Sequence, residues 1–424
     1  MRDETVAAVV DHSPSGLGRL FGALYENPYY RTFFFGNQAS TLLFQMQLVA
    51  QGYLAYTLTN SATALGIVGL ASGLPQFFFS PISGVIADRY PKRTLLMANQ
   101  SILCVTSLVM GVLIMFGMIQ YWHLVVSSFI QGMCFSLNMP TRQSWIPSLV
   151  KREDLANAVA LNNAGLNASR IIGPSVAGIL IAIPWFNIDG IYYMRVVAFV
   201  WVFYTLLQIP IIGYPEEGRK RGKVREEMTA GIRYIWHHET LAPLFTLAIV
   251  TLLLGSSYQA LLPAFALSTL NVGSEGLGLM MTAIGVGALT GSLSMAYFSR
   301  SRSKGRIQAI AGTALGVGLA FFGLFSGLKV FPLVLIALLL VGVSNDFYST
   351  INNTLILLNT DSALYGRVTA VYMMTWALAP LAAAPFGALM DHIGGPATMM
   401  LIGCTLAVFV VGMTLFHPGY RRLA

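Results

Sequence analysis

Charge is what this 424-residue chain has least of. Asp, Glu, Lys and Arg make up 10% of it, against 55% hydrophobic residues. An ordinary soluble domain carries about 25% charged residues. A soluble fold has too little interior to hide so much apolar surface, so a cytosolic enzyme or binding module is excluded and the bilayer becomes the solvent. Cysteine is scarce as well. Cys104, Cys134 and Cys404 all fall inside apolar runs, at spacings that match no metal motif, and read as packing residues. His12, His123, His237, His238, His392 and His417 lie in loops or at the ends of apolar runs, which leaves a hydrolytic or metal centre in the membrane without its usual ligands. The N-terminus lacks the short apolar core and small-residue cleavage site of a secretory signal. No Gly-rich loop followed by Lys and Ser or Thr is present, so ATP is not expected as the direct energy source and no cofactor is expected.

What is abundant is long apolar runs. A membrane helix needs about 20 such residues, and twelve stretches qualify: 32–59, 61–87, 94–117, 121–147, 157–183, 191–212, 241–270, 276–299, 306–326, 330–357, 365–390 and 396–416. The polar interval 213–240, with its run EEGRKRGKVREE, divides them six and six. The expected organisation is a cytoplasmic segment 1–31, a bundle 32–212, a cytoplasmic linker 213–240, a second bundle 241–416 and a cytoplasmic tail 417–424. With the N-terminus inside, all of the 25 Lys and Arg fall on the inner side except Lys329 in an outer loop, Arg195 near the outer end of the sixth span and Arg170 within the fifth. Such asymmetry sets orientation. The net charge of +8 is therefore topological and argues against a nucleic-acid partner. The halves also echo each other: TALGIVGL at 63–70 returns as EGLGLMMT at 275–282, and Leu155 and Gly178 return as Leu364 and Gly387. Transporter halves show repeats of this kind.

Polar residues within the spans are the candidates for function. Gln38, Thr41 and Gln45 share one face of span one; they read either as a wet cavity wall or as helix–helix hydrogen bonding. Span five carries Asn163, Asn167, Arg170, Pro174 and Gly178 on one face. Span ten carries Asp346, Ser349, Thr350 and Asn353. A charge at the bilayer centre costs at least about 2.5–3.5 kcal/mol and needs a partner or water. Helical rise places Arg170 about 20 Å and Asp346 about 17 Å above the inner ends of their helices, level enough to share one polar network across the halves. Asp346 is then the candidate proton carrier, with Arg170 tuning it; a permanent structural ion pair is the other reading. Tyr258, Tyr372 and Trp376 are candidate aromatic walls for a large or cationic substrate, or packing residues. Gly173 and Pro174 permit close packing and a local break in the helical ladder.

Between spans two and three lies a knot of charge, GVIADRYPKR at 84–93. Gly84 and Ala87 would admit a neighbouring helix, and Asp88 sits at a helix end among cations, as in a latch. The pattern G-x-x-x-D-R-x-x-[RK]-[RK] resembles the loop signature of the major facilitator superfamily, with Pro91 where the usual form has glycine. Residues 49–100 and 138–182, with Pro140, Arg142, Gln143, Pro147, Asn157, Ala158, Arg170, Gly173, Pro174 and Gly178, resemble the bacterial efflux branch of enterobactin-exporter-like carriers and transmembrane secretion effectors; LYGRV at 364–368 is similar to the start of its eleventh helix. The resemblance implies an all-α membrane protein of twelve transmembrane helices in two six-helix bundles. It implies alternating access in a bacterial inner membrane, both termini cytoplasmic, and proton-driven export of a small amphipathic molecule such as a drug or siderophore. It places Asp88, Arg89 and Arg93 at an inner gate against the start of span eleven near Arg367. Gly173–Pro174 resembles the antiporter signature of the fifth helix without its full glycine run. Many such antiporters carry a carboxylate in span one; this chain has Gln38 and Gln45, so any proton coupling falls on Asp346.

The expected partners are a small-molecule substrate, protons and the lipid bilayer, with a monomer as the working unit. Uptake by symport or uncoupled facilitation fits the same fold. A membrane enzyme would need converging nucleophile, base and acid, and a sensor would carry a soluble signalling domain; neither is present in the sequence.

Overall fold

A computed structural model describes residues 21–183, 185–213, 224–298, 303–361 and 364–421, without the side chains of Pro81, Asp88, Arg421, 224–228 and 295–298. Twelve long helices run through the described residues: α1 Pro28–Thr59, α2 Ala62–Arg89, α3 Lys92–Met115, α4 Tyr121–Leu149, α5 Leu155–Ala182, α6 Asn187–Gln208, α7 Leu241–Thr269, α8 Gly273–Phe298, α9 Lys304–Gly327, α10 Phe331–Leu358, α11 Tyr365–Ile393 and α12 Gly395–Phe416. An amphipathic linker helix, Val224–His237, joins the two sets of six. Arg300, Arg302 and most of the EEGRKRGKVREE run lie outside the described residues.

Local chemistry explains the boundaries. Asn60 closes α1 in the left-handed region at φ 50°, and the Ser61 hydroxyl then accepts from the Ala64 N–H at 3.3 Å to start α2, as Asn and Ser commonly do at such positions. The sixth span, expected over 191–212, is displaced toward the N-terminus. Ile209, ahead of Pro210, is forced out of the helical region, to φ −87° and ψ 111°, and α6 ends there. Arg195 therefore stands two turns inside α6 instead of at its outer end. α11 breaks between Thr375 and Leu378, where Pro380 has no N–H to offer the Trp376 carbonyl. Ten segments are apolar enough over their length to cross a membrane; α1 and α4 fall short. Their buried polar side chains, Gln47 and Gln51 on α1 and Gln131 and Arg142 on α4, face other helices.

The two sets of six pack alike. α2 lies on α4 and α3 on α6; α8 lies on α10 and α9 on α12. The bundles meet through α2 with α11 and α5 with α8. Small residues make both seams. Gly178 abuts Gly278, Gly66 abuts the Ala383 carbonyl and Ala384, and Gly387 abuts the Ala62 carbonyl, each too closely for a β-carbon. These glycines are the repeated positions: Gly66 and Gly278 come from the TALGIVGL echo, and Gly178 and Gly387 from the other. The Thr282 hydroxyl adds a bond to Ser175 Oγ at 2.7 Å. By the cation rule, all of these contacts lie in the outer halves of their helices. At the inner end of α2 the expected close approach is not met: a β-carbon on Gly84 would find nothing within 4 Å. The bundles diverge toward the cytoplasm, so the molecule is closed outside and open inside.

Gly278→Leu should wedge this seam. Overpacking costs about 1–3 kcal/mol, enough to move a two-state balance by roughly 5–150-fold. Spin labels at the outer ends of α5 and α8 should then report longer distances. An unchanged distance distribution would show that the seam does not control closure.

Candidate transport cavity

The space between the bundles is walled by α5 on one side and α10 and α11 on the other. On α5, Asn163, Asn167 and Arg170 all keep accessible surface. Arg170 lies deep among the helices yet stays accessible, as a side chain facing an internal cavity does. Its guanidinium stands 5.4 Å from the ring centroid of Trp376, at the break in α11. The break thus sets the ring at the height of Arg170, in a cation–π contact that spans the two halves. Opposite, Asp346, Ser349 and Asn353 are half-buried on one face of α10. Among the described residues no ion pair within 4.0 Å joins Arg170 and Asp346. Tyr372 is buried, edge-on to Phe245 at 6.1 Å and next to Ser349 and Asn352.

Other sequence candidates fall elsewhere. The Gln38 amide is packed against Gly165 of α5, and neither of its polar atoms finds a partner among the described residues. Thr41 bonds back to the Asn37 carbonyl at 2.8 Å, and Gln45 fills the notch at Gly173. Gln38 and Gln45 thus lie against glycines of α5. Tyr258 is wholly buried within the second bundle. Gly178 serves the seam with Gly278, one residue turn beyond Pro174.

The gate motif is also dispersed in this conformation. Arg89 is exposed, and the Asp88 side chain lies outside the described residues. Arg93 donates to the Ile209 carbonyl at 3.2 Å and the Leu207 carbonyl at 3.1 Å, neutralising the negative end of α6. Arg367 is exposed beside Gly231 of the linker helix, and Tyr234 of that helix donates to Asp361 Oδ2 at 3.1 Å.

Three residues were missed by sequence reasoning. Asp391, at the outer end of α11, receives four hydrogen bonds from the start of α2: from Ser61 Oγ at 2.7 Å, Ala62 N at 2.8 Å, Thr63 N at 2.8 Å and Thr63 Oγ1 at 2.6 Å. A carboxylate on a helix N-terminus is favoured by both the free N–H groups and the dipole. The signal was available: GALMD at 387–391 repeats the G-x-x-x-D of GVIAD at 84–88. Arg142 is buried in an amide cage, its Nη1 donating to Asn37 Oδ1 and its Nε to Asn138 Oδ1 at 2.6 Å, and Asn37 passes the chain on to Asn162 Oδ1 of α5 at 2.7 Å. Arg195 is buried against the rings of Phe44 and Phe199, with centroids at 5.8 Å and 4.9 Å. A charge inside an apolar run was the only sign of either arginine.

Residues 22–418 match the family model described as transmembrane secretion effector. The chain belongs to that family. It is accordingly a transporter of the major facilitator fold and not an enzyme. It is 25% identical over 390 residues to the multidrug efflux pump Tap of Mycolicibacterium fortuitum, covering 89% of this chain and 92% of that one. To the staphyloferrin A transporter of Staphylococcus aureus it is 23% identical, over 88% of this chain and 94% of that one. To the enterobactin exporter of Salmonella choleraesuis it is 25% identical, over 92% and 91%. Among solved structures, a D-xylose–proton symporter superposes with a TM-score of 0.70 at 15% identity, over 93% of this chain and 99% of that one. A bacterial homologue of ferroportin in an inward-facing state gives a TM-score of 0.70 at 15% identity, over 92% and 99%. These likenesses concern the fold.

Asp391→Asn should weaken the outer closure of this family member by about 1 kcal/mol, the net worth of an ordinary hydrogen bond, because the amide keeps the shape but loses the charge. Spin-label distances between the outer ends of α2 and α11 should show a several-fold larger open population. Wild-type distances in the variant would remove Asp391 from the latch.

Proposed function

We propose that this chain exports a small amphipathic compound from the bacterial cytoplasmic membrane in exchange for protons. The reading is supported by two charges deep in the spans of opposite bundles, Arg170 against the Trp376 ring of the second bundle and Asp346 half-buried on α10. Neutral amides and hydroxyls (Asn163, Asn167, Ser349, Asn353) can hydrogen-bond varied substrates, and Trp376 offers an apolar face. The relatives named as multidrug, staphyloferrin A and enterobactin carriers support a cargo of this general kind.

In the inward-open form Asp346 faces the cytoplasm, where it releases a proton and the substrate enters. Rocking of the bundles breaks the outer seam and the Asp391 bonds, and brings the inner ends together so that Asp88, Arg89 and Arg93 meet the start of α11 near Arg367. Protonation of Asp346 from the acidic outer side then removes its charge, weakens its attraction to the substrate and to Arg170, and favours substrate release. Proton entry is thereby tied to substrate exit. Nothing in this cycle calls for a second subunit.

Asp346→Asn tests the coupling. Inverted vesicles carrying the wild type should accumulate a fluorescent amphipathic substrate when the lumen is acidified, and the variant should lose most of that gradient-driven accumulation while still binding substrate. Undiminished accumulation by the variant would end the role of Asp346. Accumulation with the gradient only in right-side-out vesicles would reverse the direction to uptake.

A further inference from the structure

On the lipid-facing side of the first bundle, away from the cavity, α1 and α6 enclose a groove of about 420 Å³. It is lined by Arg31, Thr32 and Phe35 of α1 and by Trp201, Tyr204, Thr205 and Gln208 of α6. The helices touch beside it, where Gly36 abuts the Thr205 hydroxyl. The lining is ordered by depth. Arg31 and Gln208 stand at the inner end, Thr32 and Tyr204 come next, and Phe35 and Trp201 lie closest to the membrane centre. A phospholipid of the inner leaflet has the same order: charged headgroup, ester region, acyl chain.

Among the described residues Arg31 has no ion-pair partner. It is exposed, and the acidic groups nearest it in the fold are engaged elsewhere. Glu26 pairs with Lys151 at 3.5 Å and Asp154 accepts from Asn27 Nδ2 at 2.8 Å. The carboxyl end of α6, which would repel an anion at the mouth of the groove, is covered by Arg93 on the Leu207 and Ile209 carbonyls. Phe35, Trp201 and Tyr204 are exposed at 52%, 44% and 59%, a large aromatic surface for acyl contact. Basic pockets between membrane helices on the cytoplasmic side are a recurrent means of holding anionic headgroups.

We infer that the α1–α6 groove is a specific seat for an anionic glycerophospholipid of the inner leaflet. The lipid phosphate rests on Arg31, with Gln208 as a hydrogen-bond donor, and one acyl chain runs over Phe35 and Trp201. The site lies on the helix pair that frames the first bundle, opposite the transport cavity, and its occupancy is independent of the substrate.

The test is native mass spectrometry of the purified full-length protein with equimolar phosphatidylglycerol and phosphatidylcholine. The wild type should retain phosphatidylglycerol preferentially. Arg31→Ala should reduce that preference about fivefold, the worth of one interfacial cation. Gln208→Trp, which keeps the charge but fills the groove, should reduce it similarly. Arg152→Ala, which removes an exposed inner-side cation elsewhere, should leave it unchanged. Glycerol phosphate added in solution should not compete, since it lacks the acyl chain. Equal retention of the two lipids, full preference in Arg31→Ala, an equal loss in Arg152→Ala, or competition by glycerol phosphate would each overturn the assignment.

Discussion

Backbone-to-backbone approach along the outer seam is the constraint on which this molecule turns. In lipid, apolar surfaces gain little by leaving one solvent for another, so helices associate through close packing and hydrogen bonds. Gly66, Gly178, Gly278 and Gly387 leave no room for a side chain where α2 meets α11 and α5 meets α8. A seam of this kind is either fully formed or open, because partial separation forfeits most of the dispersion contact. Closure outside and a gap inside follow from the same rigid bundles, and so does the possibility of the opposite state.

The three arginines within the first bundle show how such a protein handles charge. Arg142 is held by side-chain amides and Arg195 by aromatic rings. Both are sealed in, and neither has a carboxylate partner among the described residues. Arg170 alone of the three keeps surface on the cavity, touches a ring of the other bundle and senses a carboxylate across the gap. Burial separates a structural cation from one that can take part in a cycle, and residue type does not.

The latches obey a related logic. At the outer end of α11, Asp391 sits on the start of α2; at the inner end of α2, a β-carbon on Gly84 would meet nothing within 4 Å. The two G-x-x-x-D motifs lie at opposite ends of α2 and α11 in the sequence pattern. The linker helix adds a tie on the inner side, through Tyr234 and Asp361, without joining the seam.

Twelve long helices in two sets of six and the family signature were legible in the chain, because long apolar runs and short motifs act locally and need no partner to be read. Most helix ends were legible for the same reason; α6 was not, since the effect of Pro210 on the residue before it outweighed a still-apolar sequence. Which face each polar residue presents was another matter. Gln38, Thr41 and Gln45 share a stripe with the right spacing for a cavity wall, yet Gln38 and Gln45 lie against glycines of α5 and Thr41 bonds back along its own helix. The repeated glycines were visible as an echo, but their meeting across the bundles, like the union of Asp391 with Ser61 and Thr63, joins residues far apart in the sequence. Contacts of that range depend on how rigid bundles dock, and no local pattern encodes the docking.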